Sequence, residues 1–411
     1  MHDLDFHGLV DEIGDAARQP EFATVRQRTD RLRSRRRRAM AGGVLGVTAV
    51  LTLGGYAITG PGGGPVGPAE ASPSAVVEAP ARIRSATAGD ADHFYALVAD
   101  CESCKPRLMA SEDGGRTWQQ RPAYSALLEE PDIIPNLDVL GPRILTLGLP
   151  AKLGRSENDS GAKRKISTDG GATWRDLQVS RTPVAAAPAG THLVDCITGT
   201  CGLAVDPAAG TLAPLAAQPA LAQYVMAHTP VGAGLWVKGL DPATGRPAVA
   251  VSRDRGQTWT VAVFTMESPA PSPDGGTPRS YLPDIATADG RTVYAIIEGT
   301  DDGYAHLYRS TDGGATWQRT NPDGPPSGLP FVTTQSFVTT DGAHVMLLLE
   351  GDTVVARISP DGRTYAPLAM AGGPAKVAAP TVIDKNHYLS HDGQALYLST
   401  DGRNWRGLTT P

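Results

Sequence analysis

From Ala81 to the C-terminus, short apolar or alternating runs are separated by polar stretches rich in Gly, Asp and Pro. That is the pattern of many short β-strands joined by tight turns. One unit reads as strands at Arg82–Thr87, Phe94–Asp100, Arg107–Ser111 and Thr117–Arg121, and the plan returns at Asp284–Thr287, Thr292–Glu298, Ala305–Ser310 and Thr316–Arg319. Before Ala81 the pattern is different. Leu4, Phe6, Leu9, Val10 and Ile13, then Phe22 and Val25, stand at helical spacing with Pro20 between them. They predict short amphipathic helices in an arm of residues 1–38. An uncharged stretch from Ala39 to Ala69 follows, apolar as far as Ile58. Its residues 39–59 are predicted as a transmembrane helix, because about 20 residues at helical rise span a bilayer core of roughly 30 Å. Residues 60–80, rich in Gly, Pro, Ala and Ser without periodicity, form a linker that cannot bury a core.

One phrase punctuates the strand region. Ser310 to Trp317 reads STDGGATW, Ser111 to Trp118 SEDGGRTW, Ser167 to Trp174 STDGGATW and Ser252 to Trp259 SRDRGQTW. Shortened copies run from Ser359 to Tyr365 (SPDGRTY) and from Ser399 to Trp405 (STDGRNW). A carboxylate just after a strand accepts backbone N–H groups one or two residues on, and Gly supplies the positive φ of a tight reversal. The aromatic ring then covers the underside of the turn. Trp118, Trp174, Trp259, Trp317 and Trp405 account for five of the six Trp in the chain. The phrase therefore reads as structural, carried by Asp113, Asp169, Asp254, Asp312, Asp361 and Asp401 with those rings. It resembles the Asp-box, or BNR, repeat of sialidase-like β-propellers. The resemblance implies an all-β propeller with each box between the third and fourth strands of a blade, and it does not by itself imply sialidase activity. The gap of 85 residues between Asp169 and Asp254 hides one more unit, with strands at Thr191–Ile197, Gly202–Asp206 and Thr211–Leu215 and a decayed box at Asp206 to Thr211. Seven units over residues 81–411 make about 47 residues each, a propeller-blade length. Seven blades is the best count, with six or eight as alternatives.

Charge sets the topology. Arg31, Arg33, Arg35, Arg36, Arg37 and Arg38 directly precede the apolar stretch, and no Lys or Arg follows it until Arg82. This asymmetry predicts a single-pass bacterial membrane protein with the N-terminus cytoplasmic and the propeller extracytoplasmic. The alternative is a cleaved signal, since Ala69-Glu70-Ala71 is an A-x-A site and paired arginines precede the apolar run. The arm of residues 1–38 is a candidate docking element for a cytosolic partner. Without the first 60 residues, which hold nine basic and seven acidic side chains, the totals of 37 and 43 become 28 and 36, a net charge of −8. That balance argues against nucleic acid.

Candidate chemistry is sparse. Cys101 and Cys104, and Cys196 and Cys201, each straddle a predicted turn between second and third strands. Two local disulfides are expected, with a four-thiolate zinc site as the alternative. No cofactor is expected, and no phosphate loop, zinc helix or nucleophile elbow is present in the sequence. Sialidases seat the sialate carboxylate with an arginine in a Phe/Tyr-Arg-Ile-Pro motif. Here Ala81-Arg82-Ile83-Arg84 lacks both the aromatic and the Pro, and Arg143-Ile144-Leu145 is a weaker echo. No catalytic residue is therefore assigned. A ligand is expected on the face opposite the boxes, on loops Pro122–Pro135, Pro150–Arg164 and Glu267–Pro283. These carry Glu129, Glu130, Asp132, Lys152, Arg155, Glu157, Asp159, Arg279 and Tyr281; Arg82 and Trp236 are further candidates, the latter lining a channel or a saccharide platform, with core packing as its stronger reading. The expected function is a non-catalytic binding module for a glycan, peptide or protein, with a sialidase-like glycosidase and a scaffold acting through the cytoplasmic arm as alternatives.

Overall fold

In the computed structural model the described residues are 81–101, 103–128, 136–148, 164–194, 202–230, 232–265, 282–298, 305–320, 333–350, 353–373, 380–409 and 411. The predicted arm, membrane helix and linker lie outside them. Among the described residues no helix is long and apolar enough to cross a membrane.

The described chain forms seven four-stranded sheets. Blade 1 holds β1 (Arg82–Ala88), β2 (Phe94–Ala99), β3 (Arg107–Ser111) and β4 (Gln119–Gln120), and blade 2 holds β5 (Asn136–Val139), β6 (Leu145–Gly148), β7 (Arg164–Ser167) and β8 (Arg175–Asp176). Blade 3 is built from β9 (Gln178–Val179), β10 (Leu193–Val194), β11 (Leu203–Asp206) and β12 (Thr211–Pro214). Blade 4 comprises β13 (Ala222–Met226), β14 (Leu235–Leu240), β15 (Pro247–Ser252) and β16 (Thr260–Val263), and blade 5 comprises β17 (Asp284–Thr287), β18 (Val293–Glu298), β19 (Ala305–Ser310) and β20 (Gln318–Arg319). Blade 6 has β21 (Thr333–Val338), β22 (His344–Glu350), β23 (Thr353–Ser359) and β24 (Ala366–Leu368); blade 7 has β25 (Thr381–Asp384), β26 (His387–His391), β27 (Leu396–Ser399) and β28 (Trp405–Gly407). A single helical turn, α1 (Pro122–Ser125), follows β4 where a loop was expected, and its Tyr124 is fully buried.

Within a blade the pairing is antiparallel in chain order, except in blade 3. There β10 is innermost, β11 and β12 follow, and the outermost place is taken by β9, which arrives directly from blade 2 and pairs parallel to β12. Burial follows position. Among the second and third strands, which lie between neighbouring blades, β2 (FYALVA) and β15 (PAVAVS) are apolar runs buried throughout. Outer strands such as β4 (QQ) and β8 (RD) are exposed. A sheet covered on both faces removes the polar alternation that a half-solvated sheet would show.

The core therefore lies between blades. Trp236, Val249 and Val251 of blade 4 pack with Ile285, Val293 and Tyr308 of blade 5, and Tyr294 and Leu307 of blade 5 pack with Met346 and Leu348 of blade 6. The ring closes without exchange of a strand, since blades 1 and 7 each consist of four consecutive strands. Ile83, Ala96 and Val98 meet Leu396, and Phe94 meets Ile383, Leu389 and Leu398 across this junction. The Ile83 N–H donates to Gly393 O at 2.8 Å, and Thr409 Oγ1 donates to Gly115 O at 2.7 Å.

Candidate functional site

The boxes occupy the turns between third and fourth strands, and their chemistry can be followed atom by atom in blade 5. Gly313 and Gly314 hold φ of +76° and +90°, and a Cβ on Gly314 would stand 2.6 Å from the Trp236 ring. Ser310 Oγ accepts the buried Gly314 N–H at 2.8 Å and donates to Asp312 Oδ1 at 2.8 Å. Asp312 accepts the Thr316 N–H at 2.9 Å and the Thr316 hydroxyl at 2.6 Å. The same contacts recur around Asp113, Asp169 and Asp254. This corrects the expected reach. In the full-length boxes the carboxylate spans four residues to Thr on the exposed side, while the buried donor is satisfied by Ser. Only the shortened boxes keep the short reach, with Asp361 accepting the Arg363 N–H and Asp401 the Arg403 and Asn404 N–H groups. Hydrogen bonds hold the carboxyls down to about 2, from the Thr hydroxyl foremost at Asp254 and Asp312 and from the Thr117 N–H foremost at Asp113.

Each box ring also reaches the preceding blade. Trp174 packs with Tyr95, Leu108 and Tyr124 of the blade 1 region, Trp405 with Phe337 and Leu347 of blade 6, and Trp118 with Leu396 and Leu408 of blade 7. Trp118 Nε1 donates to Thr409 O just past β28, and Trp259 Nε1 donates to Ala217 O just past β12. The match makes β12 the counterpart of a fourth strand. The decayed box at Asp206, in which Asp206 accepts the Ala208 and Ala209 N–H groups, is thus the counterpart of a box turn, with β9 added outside β12.

The turns between first and second strands share the box face, as shown by the Gly114 N–H on Asp92 O and the Gly170 N–H on Arg143 O. Sequence reasoning missed a charge network there. His93 Nδ1 lies 2.8 Å from Asp90, Arg143 reaches His93 Nε2 and Glu112, and Glu112 also binds Arg121, whose Nε donates to Gly170 O. Arg143 is therefore tied down on the box side. It is not available as a carboxylate-seating arginine on the opposite face. Arg82 stands exposed at the start of β1, at the end away from the boxes.

Trp236 takes the core packing that was the stronger of its two sequence readings. It is 0% exposed, its Nε1 donates to Ala233 O, and its ring meets Trp317 edge-on at 6.4 Å. Because β14 is covered on both faces, the ring belongs to the core between blades 4 and 5 and offers no saccharide platform. Glu129, Arg155, Arg279 and Tyr281, with the rest of the charged loop residues, lie outside the described residues, as do Cys196 and Cys201. Cys101 and Cys104 form a disulfide in the turn between β2 and β3, on the face opposite the boxes.

What the geometry does bring together is an axial channel of about 430 Å³. It is lined by residues of the innermost strand of every blade, and among the described residues each of these strands has one neighbouring strand in its sheet. Thr87, Asp138, Thr287, Gln335, Ser336 and Thr381 bring polar side chains to this lining. His192 and His228 also line it; burial foremost, then the charge of His228, lowers His192 to about 4. The buried Ser336 Oγ has no hydrogen-bond partner among the described residues. The usable signal was the polar residues in the first predicted strand of each unit. Among the described residues no group of three His, Cys, Asp or Glu is placed to hold a metal.

The BNR/Asp-box repeat family matches residues 308–319. No curated protein matches the chain in sequence. Solved structures similar to it include the β-propeller domain of the Trilobed protease from Pyrococcus furiosus, at 11% identity over 80% of this chain and 98% of that one, with a TM-score of 0.46. YCF48 bound to D1 peptide shares 14% identity over 80% and 84% of the two chains at 0.33, and the Hadza microbial sialidase Hz136 shares 12% over 80% and 66% at 0.34. Likenesses this distant carry no argument about activity, and the fold rests on the seven sheets themselves. The chain is a seven-bladed β-propeller built on Asp-box (BNR) repeats.

Proposed function

We propose that the chain is a non-catalytic binding module whose ligand, a glycan, peptide or protein, docks where the axial channel opens away from the boxes. The channel is the observation that carries this reading. The inner strands bring backbone donors and acceptors to the lining, and hydroxyl and amide side chains at Thr87, Gln335, Ser336 and Thr381 add directional contacts. The box residues are spent on their own turns and leave recognition to this region. A glycosidase needs two carboxyl or tyrosyl groups in one pocket. Among the described residues the channel lining has one carboxylate, Asp138, already in an ion pair with Arg164.

A fluorogenic sialoside assay run beside glycan and peptide arrays tests the proposal. Binding without turnover, weakened in Gln335→Ala at unchanged melting temperature, supports it. Turnover that vanishes in Arg82→Ala overturns it in favour of the enzyme, and silence in both with capture of a cytosolic protein by residues 1–38 favours the scaffold. We further propose that residues 39–59 anchor the propeller outside the membrane. A cysteine introduced at Ser74 should then react with an impermeant label on intact cells, and labelling only after lysis would reverse this topology.

A further inference from the structure

We infer that the Cys101–Cys104 disulfide is a thiol–disulfide exchange site open to an external thiol, and not a staple of its hairpin. The hairpin does not need it. Strands β2 and β3 are paired from Phe94 with Ser111 to Val98 with Arg107, and an ion pair of 2.6 Å between Arg107 and Asp100 closes the end of the ladder. The Cys104 N–H already reaches Cys101 O across the turn. The cross-link joins residues three apart, so the loop it closes is among the shortest possible and removes little entropy from the unfolded chain.

Its surroundings suit exchange. Cys101 is exposed and Cys104 is half-buried, so an incoming thiolate meets Cys101 first. Arg84 donates to Cys101 O at 2.9 Å, which sets one cation beside the exposed cysteine, while Arg107 is paired with Asp100, Lys105 reaches Leu128 O, and Glu102 stands between the two cysteines in the sequence. The Arg84 guanidinium is the charge placed to assist an anionic nucleophile arriving at Cys101. The Ser103 hydroxyl lies 3.9 Å from Cys101 Sγ. A disulfide spanning C-x-x-C at an exposed turn is the kind that dithiols open readily.

The step balances as follows. An external thiolate attacks Cys101 Sγ, the Cys101–Cys104 bond breaks, and the Cys104 thiolate takes a proton. A second external thiolate then attacks its partner's sulfur in the mixed disulfide and frees Cys101. Two thiols are oxidised to one disulfide as the protein gains two electrons and two protons. The change has a route into the blade. Lys105 Nζ donates to Leu128 O at 2.8 Å and Ser125 Oγ to Pro106 O at 3.5 Å, so the stretch after Cys104 grips the segment that leads from blade 1 to blade 2.

The test is a redox titration of the full chain in native buffer with glutathione at graded reduced-to-oxidised ratios, trapped by alkylation and read by peptide mass. The expected result is reversible opening of Cys101–Cys104 while native Trp fluorescence persists. In Cys104→Ser, Cys101 should carry one glutathione, and Arg84→Gln should slow reduction several-fold. A bond that opens only in denaturant, a loss of native fluorescence on reduction, or a Cys101 left unmodified in Cys104→Ser would overturn the inference.

Discussion

Blade 5 and blade 3 solve the same problem with different residues. In blade 5, Ser310 satisfies the buried Gly314 N–H, Asp312 ties Thr316, and Trp317 enters the junction with blade 4. In blade 3, Ala204 stands two residues before Asp206 where the boxes have Ser, and Trp is missing. Its junction with blade 2 is instead filled by Leu177, which is buried with Leu140, Ile166, Leu203 and Leu212. The turn is held from outside, by the Arg175 guanidinium donating to the carbonyls of Pro207 and Ala208, and by the added strand β9. The difference separates two tasks of the box. One is to close a hairpin, which a lone Asp still does; the other is to join blades, which requires a large ring or a substitute of similar reach.

The comparison can be broken most strongly at the ring. Trp317→Ala removes contacts to Trp236 and to Phe264, whose ring is 5.3 Å away. It should cost about 3 kcal/mol in urea unfolding, the low end for aromatic truncation because the ring is half-buried. Ser310→Ala leaves the Gly314 N–H without its acceptor and should cost about 2 kcal/mol. The reverse change in blade 3, Ala204→Ser, should bring no gain, since that turn is pinned without it. Blade 4 is intermediate. Its box has Arg255 where the others have Gly, at φ 63°, a left-handed conformation that penalises a Cβ. Arg255→Gly should therefore stabilise by about 1 kcal/mol, read as a higher urea midpoint at unchanged slope.

Acid titration gives the finest distinction. His344 is fully buried, stacked on Tyr294, and lowered to about 3 by burial. The unfolded chain binds its proton at higher pH than the folded one, so its contribution is full above pH 6.5 and is lost as pH falls toward 3. His344→Phe should flatten the stability curve in that window. The box carboxylates act lower. With Asp113, Asp254 and Asp312 depressed from 3.8 to about 2, their contribution is intact above pH 4 and is lost as pH falls through 2. Asp312→Asn should change the slope only below pH 4.

The sequence by itself determined the repeat, the number of blades and nearly every strand of blades 1 and 5, because a turn of fixed chemistry and the run of residues beside it are local. The unit hidden at Asp206 was legible for the same reason. Local signals stop at the blade surface. Nothing in Gln178–Val179 marks a strand, since two residues carry no period and their partner β12 lies more than 30 positions away in the chain. For Trp236 the sequence left core packing and a channel position open, because a strand covered on both sides has no polar alternation to say which face is wet. Arg143 looked available until the fold set Glu112 and His93 beside it. Only the tertiary structure decided that each box ring reaches into the blade before its own. It also decided that seven inner edges meet around one channel, because both depend on how neighbouring sheets close into a ring and not on any single stretch of chain.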